Sequence, residues 1–199
     1  MINKVNVLVF GDSITYGMGD IEYGSWVNRL KLALEDRKDY YYDVYNLGIP
    51  DDTSTDILKR FKQEIKSRYY QGKLIVIFAI GGNDSSQTNI SIKKFKKNIK
   101  KLIYYTKKKT NKIVFLGLGQ AIDSDIEGRL YKTARIRNDD IERFDNAIWE
   151  VCREKNIEFI PIKNKVKIEM LYDEVHPNQN GHEEISMMVY NYIVRKGIK

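Results

Sequence analysis

Acyl-transfer chemistry needs a nucleophile, a base beside it and a group that orients the base. The search for the base is short, because the chain holds only two histidines, His176 and His182. His176 lies in Asp173-Glu174-Val175-His176-Pro177. Asp173 is near enough there to accept a hydrogen bond from the second ring nitrogen, fixing the tautomer and stabilising the imidazolium that forms during attack. His182 falls inside a helical pattern and reads as a packed or surface side chain with no catalytic role. A hydroxyl stands in Gly11-Asp12-Ser13-Ile14-Thr15, directly after an apolar run, which makes Ser13 the candidate nucleophile. Taken alone, an Asp-Ser pair after a strand reads equally well as a helix cap. Asp12 reads as a residue that holds this loop by hydrogen bonds.

Attack on a carbonyl also needs donors aimed at the oxygen that becomes negative. Gly48 offers an unobstructed backbone N–H, and Asn83 in Gly81-Gly82-Asn83-Asp84 offers a side-chain amide; each has an ordinary alternative as a turn residue. A metal centre is not expected: no His-Glu-x-x-His spacing occurs, and a single cysteine, Cys152, supplies neither a disulfide nor a cysteine cluster. No cofactor is implied. Two other functions compete. A nucleotide- or phosphate-binding module is opposed by Gly17-x-Gly19, which meets Glu22 where a third glycine belongs, and by the lack of a Gly-Lys-Ser/Thr loop. A catalytically silent scaffold for an acylated ligand is the other, and no element of the catalytic set is missing. A Gly-x-Ser-x-Gly elbow is absent, since Thr15 stands at its second glycine.

The elements that must carry these residues follow from hydrophobic periodicity. Strands are expected at residues 5–10, 41–47, 74–80, 113–118 and 158–162. Helices are expected between them, carrying Trp26, Leu30 and Leu34; Ile57, Leu58, Phe61 and Ile65 after a Thr53 or Ser54 cap; a lysine-rich stretch capped by Ser91; Ile141, Phe144, Ile148 and Val151 after Asn138; and a last helix beginning near Pro177. Alternating strands and helices imply right-handed crossovers and a three-layer α/β domain with a five-stranded parallel sheet between helices. Ligands in such sheets sit at the carboxyl ends of the strands. Ser13, Gly48 and Asn83 all follow strand ends. The segment 119–137 is long for a connection in a compact domain. Its Arg129, Arg135 and Arg137 can meet an acidic or phosphate-bearing substrate, or serve as ordinary surface arginines.

Gly11-Asp12-Ser13-Ile14-Thr15, Asn46-Leu47-Gly48, Gly81-Gly82-Asn83-Asp84 and Asp173-x-x-His176-Pro177 together resemble the four blocks of the SGNH, or GDSL-like, hydrolase family. They occur in the family's order and span most of the chain. The resemblance implies a flavodoxin-like sandwich and a serine esterase or acylhydrolase, with acetylated sugars, short-chain lipid esters, lysophospholipids and thioesters all open as substrates. It implies Ser13 as nucleophile, Asp173 and His176 as the rest of the triad, and an oxyanion hole made by the amide of Ser13 with Gly48 and Asn83. Ile14 replaces the leucine of the family's name and keeps an apolar anchor.

At 199 residues with 42% hydrophobic content, the chain is expected to form one domain over residues 1–199. No apolar run is long enough to span a membrane or to form a secretory signal core. With the lone cysteine, this leads to the expectation of a cytoplasmic protein acting on a small acylated substrate, with homo-oligomerisation left open. The net charge of +7 raises nucleic-acid binding as a question. Much of that charge lies in the lysine-rich helix, whose Lys93, Lys94, Lys96, Lys97, Lys100 and Lys101 alternate with core positions and lack interleaved aromatics for stacking bases. It reads as a solvated face, and no nucleic-acid partner is expected.

Overall fold

In Lys4–Gly11 (β1) the apolar side chains point alternately to the two faces of the sheet, and this sorts the whole core. Leu8 and Phe10 face one layer with Phe61, Phe78, Phe95 and Phe115. Val5, Val7 and Val9 face the other with Trp26, Leu30, Ile185 and Val189. A strand buried on both faces belongs in the middle of a parallel sheet, and β1 lies between its two neighbours there. The computed structural model describes residues 4–37, 39–86, 90–126 and 134–197.

The remaining strands are Tyr41–Gly48 (β2), Lys73–Ala79 (β3), Ile113–Leu116 (β4), a small pair Ser124–Ile126 (β5) and Ala134–Ile136 (β6), and Glu158–Ile160 (β7). The main sheet is parallel, in the order β2-β1-β3-β4-β7. The helices are Ser13–Tyr16 (α1), Trp26–Glu35 (α2), Ser54–Arg68 (α3), Gly82–Ser86 (α4), Ile92–Lys107 (α5), Asn138–Lys155 (α6) and Gln179–Tyr192 (α7). α3, α5 and α6 bury their apolar stripes in the layer around Phe10, and α2 and α7 cover the opposite face. This is the three-layer α/β/α sandwich expected from the periodicity. Among the described residues, no helix is long and apolar enough to cross a membrane.

The register of the central strands matters most for the site. Gly11 of β1 is level with Gly48 of β2 and with Ala79 of β3, so three strands stop at one height and their loops emerge side by side. Arg60 on α3 fastens this edge. Its guanidinium donates to the carbonyl of Leu47 at 2.7 Å and to Asp52 Oδ2 at 2.7 Å.

Several boundaries differ from the sequence expectation. β4 stops at Leu116, short of residue 118, because the Leu118 N–H turns away to Asp145 Oδ1 at 2.8 Å. β7 stops at Ile160, short of 162. The last helix starts at Gln179, capped by Asn178, because Pro177 is held in an antiparallel bridge with Leu171. The long 119–137 segment contains the β5–β6 hairpin, which periodicity did not reveal. The lysine face of α5 is outward, with Lys96 paired to Glu150 and Lys100 to Glu154 across to α6. Cys152 is buried, and burial pushes its thiol up to about 12.

Candidate active site

The chain leaves β1 through a turn with no space for a side chain at its start. A Cβ on Gly11 would fall 1.9 Å from Thr15 Oγ1 and 2.8 Å from the Ala79 carbonyl. Asp12 then caps the single-turn helix α1, its Oδ1 accepting the Ile14 N–H at 3.1 Å. The cap leaves Ser13 as the first residue of that helix, just past the carboxyl end of β1. Ser13 Oγ lies 2.9 Å from His176 Nε2. His176 Nδ1 lies 2.7 Å from Asp173 Oδ2. The other Asp173 oxygen, Oδ1, accepts the backbone N–H groups of Val175 at 2.9 Å and His176 at 2.7 Å. One carboxylate therefore both folds the loop and orients the ring that the loop carries. Since a carboxylate only accepts, Nδ1 carries the proton and Nε2 is left as acceptor toward the serine hydroxyl. Burial by itself would raise Asp173, but the two loop amides and the imidazole hold it below its ordinary value.

The loop of His176 is fixed from outside as well. Tyr172 N–H donates to the His176 carbonyl at 2.7 Å, and Asn178 N–H to Met170 O at 2.7 Å. His182 is fully buried, not at the surface and not in the site. Its Nδ1 accepts the Trp26 N–H at 3.1 Å and its Nε2 lies 3.0 Å from Met18 O, so it ties α7 to the start of α2. Burial lowers its pKa, and the neutral ring is the form these two bonds require.

Two carboxylates near the Ser13 turn are buried. Burial raises Asp12 to about 6, partly offset by the Ile14 amide and by His176. Burial also raises Asp84 to about 6, against hydrogen bonds from the Ser54 hydroxyl at 2.5 Å and amide at 2.8 Å. The Asp12 value carries a testable consequence. Below 3.8 this carboxyl is neutral in both the folded and unfolded chain; between 3.8 and about 6 the unfolded chain releases the proton first, so stability falls as pH rises through that window. Asp12→Asn keeps a good helix cap and removes the titration. Its stability relative to the parent should therefore improve by about 2 kcal/mol from pH 4 to pH 7 in urea titrations. A pH-independent difference would contradict the burial cost.

The expected oxyanion donors divide. Asn83, in the first turn of α4, lines the cleft beside Ser13 and donates one Nδ2 proton to Asp52 O at 3.1 Å. Gly48 does not face the cleft, contrary to the sequence expectation. Its N–H is donated to Asn46 Oδ1 at 2.9 Å, and a Cβ there would lie 2.2 Å from Tyr16 N. The Asn46-Leu47-Gly48 block instead supports α1 from below, with Asn46 Nδ2 donating to Thr15 O at 2.8 Å. The residue that this loop brings to the cleft is Asp51. It is the third residue of a turn closed by the Asp52 N–H on Ile49 O at 3.2 Å, and its φ is +68°. No described hydrogen bond uses the Asp51 amide. Pro50-Asp51 was the available signal, since proline suits the second position of such a turn and aspartate tolerates a left-handed third.

Neither of the two expected arginines that the structure describes, Arg135 and Arg137, lines this cleft. Arg137 staples the β5–β6 hairpin, donating to Ser124 O at 2.9 Å, to Ile136 O at 2.7 Å and to Asp125 Oδ1 at 2.9 Å. Arg135 is exposed beside Asp140 and Arg143 in a separate depression. Arg129 lies outside the described residues.

A parallel α/β sandwich with a serine–histidine–aspartate relay at its carboxyl edge has the groups required of a serine hydrolase. Residues 9–184 match the GDSL-like Lipase/Acylhydrolase family, and the chain belongs to that family, whose members hydrolyse ester bonds. It is 22% identical over 213 residues to the uncharacterized protein YpmR of Bacillus subtilis, covering 96% of this chain and 82% of that protein. Among solved structures it resembles a member of the lipolytic protein G-D-S-L family from Veillonella parvula, with TM-score 0.75, 20% identity, and 96% and 99% of the two chains covered. It also resembles Axe2, an acetylxylan esterase from Geobacillus stearothermophilus, with TM-score 0.73, 18% identity, and 98% and 96% covered.

Proposed function

We propose that this ester hydrolase works through an acyl-enzyme on Ser13, with a small acylated molecule as substrate. The observation that carries the reading is the continuous contact from Ser13 Oγ through His176 to Asp173, at 2.9 and 2.7 Å. As Oγ attacks the carbonyl carbon, its proton passes to His176 Nε2, and Asp173 stabilises the imidazolium. The carbonyl oxygen becomes an oxyanion. The Ser13 N–H, which has no acceptor within its helix, and the second Nδ2 proton of Asn83 are the donors for it. The Asp51 amide takes the place expected for Gly48. Collapse breaks the bond to the leaving alcohol, which receives the proton from His176. Water then repeats the sequence on the acyl-serine and releases the acid.

No step calls on a metal or cofactor. The sheet with both faces covered reads as one catalytic domain, and the lone buried Cys152 suits the reducing cytoplasm.

Mixing enzyme with p-nitrophenyl butyrate should give a burst of p-nitrophenolate of about one equivalent per site. Acid quenching followed by peptide mass spectrometry should find the butyryl group on the peptide containing Ser13. Butyryl on another residue, with Ser13 unmodified during turnover, would refute the mechanism.

A further inference from the structure

We propose that the cleft beside Ser13 is an acyl pocket, and that the substrates are esters of medium-chain fatty acids with about six to ten carbons. This rests on the serine-hydrolase reading above and specifies its substrate. The cleft has a volume of about 230 Å³. Its reactive end carries Ser13, His176, Asn83 and Asp51. The rest is mainly apolar, with Ala121, Ile136, Ile162, Val166 and Ile185 all buried.

Size and chemistry together select the ligand. An apolar cavity of about 150 Å³ accommodates benzene, with six carbons, so this one has space for a chain somewhat longer. An acetyl group would leave most of it vacant, and water is a poor filler because each molecule needs two to four polar partners. A sugar would bring hydroxyls to walls that are mainly isoleucine, leucine and valine, with Gln120, Ser85 and Ser86 as the polar exceptions. A run of methylenes matches both the volume and the lining.

The chain must belong to the acid and not to the alcohol. Water reaches the acyl-serine from the side vacated by the leaving group, because deacylation retraces acylation with water in place of the alcohol. A pocket filled by the alcohol would therefore have to empty and admit water at each turnover. A pocket filled by the acyl chain stays occupied through both steps and leaves the approach of water free.

The test varies acyl length from acetyl to palmitoyl on one leaving group, p-nitrophenol, and alcohol length on acetate. Each added acyl methylene should raise kcat/KM by up to about four-fold, so octanoyl should exceed acetyl by at least about 100-fold. Lengthening the alcohol should have little effect. Ala121→Phe places a ring in the pocket while its backbone bonds with Asn138 remain available. It should lower the octanoyl-to-acetyl ratio at least about ten-fold, as should Ile141→Phe from the α6 side, with thermal melting reporting the fold of each.

A flat series, a preference for acetyl, or a ratio that neither folded variant changes overturns the proposal while the serine mechanism stands. Octanoyl selectivity that survives in Ser13→Ala supports the pocket and overturns the serine mechanism. Should no ester be cleaved, calorimetry on the full chain decides: octanoate binding at least about ten-fold tighter than butyrate supports the pocket, and equal binding overturns it.

Discussion

Ser13→Ala should lower kcat toward p-nitrophenyl butyrate by four to six orders of magnitude, about the loss expected when a serine nucleophile is removed from a triad. The fold should be unaffected, because the turn is held by neighbours and not by the hydroxyl. Asp12 still caps α1, and Asn46 still supports it through Thr15 O. Unfolding free energy should stay within about 1 kcal/mol of the parent, since the change removes one half-buried hydroxyl with one partner. KM should move little, because the acyl group is held by the walls of the cleft. Activity within ten-fold of the parent, in protein free of contaminating esterase, would mean that Ser13 is not the nucleophile.

The second large effect separates folding of the His176 loop from chemistry on its ring. Asp173→Asn retains an oxygen for the Val175 and His176 amides, which now lie 2.9 and 2.7 Å from Oδ1. The side-chain amide must then present N–H to His176 Nδ1, where Oδ2 now accepts. The ring responds by moving its proton to Nε2, facing Ser13 Oγ, and so loses the lone pair that would take the serine proton. Turnover should fall about 10⁴-fold with the loop intact. Asp173→Ala should show a similar loss and, in addition, a lower melting temperature, since two loop amides lose their acceptor. If Asp173→Asn costs less than ten-fold, the carboxylate serves the loop alone.

The sandwich was legible because its strands are short apolar runs whose side chains divide between two core layers, and its helices carry apolar positions three and four apart. The contacts of Ser13 with His176 and of His176 with Asp173 were legible for a related reason. Each residue sits in a local motif that fixes its own geometry, and the two histidines left few alternatives. Gly48 was misread because the direction of its N–H is decided by the side chain of Asn46, two residues away, which offers it an acceptor. Asp51 was overlooked because the left-handed conformation usually signals glycine, and the Pro50 turn puts an aspartate there. The role of Arg137 depends on the β5–β6 pairing, whose three-residue strands are too short to show a period.

His182 has a consequence for when the enzyme becomes active. Ser13 and His176 stand 163 positions apart, and His176 is followed by a helix that His182 anchors to Trp26 and Met18. Contacts of such separation form late, because the intervening chain must first be ordered. A newly made chain can complete β1, α1 and the Ser13 turn long before α7 docks. Until then Ser13 Oγ lacks the ring nitrogen that stands 2.9 Å from it in the folded chain.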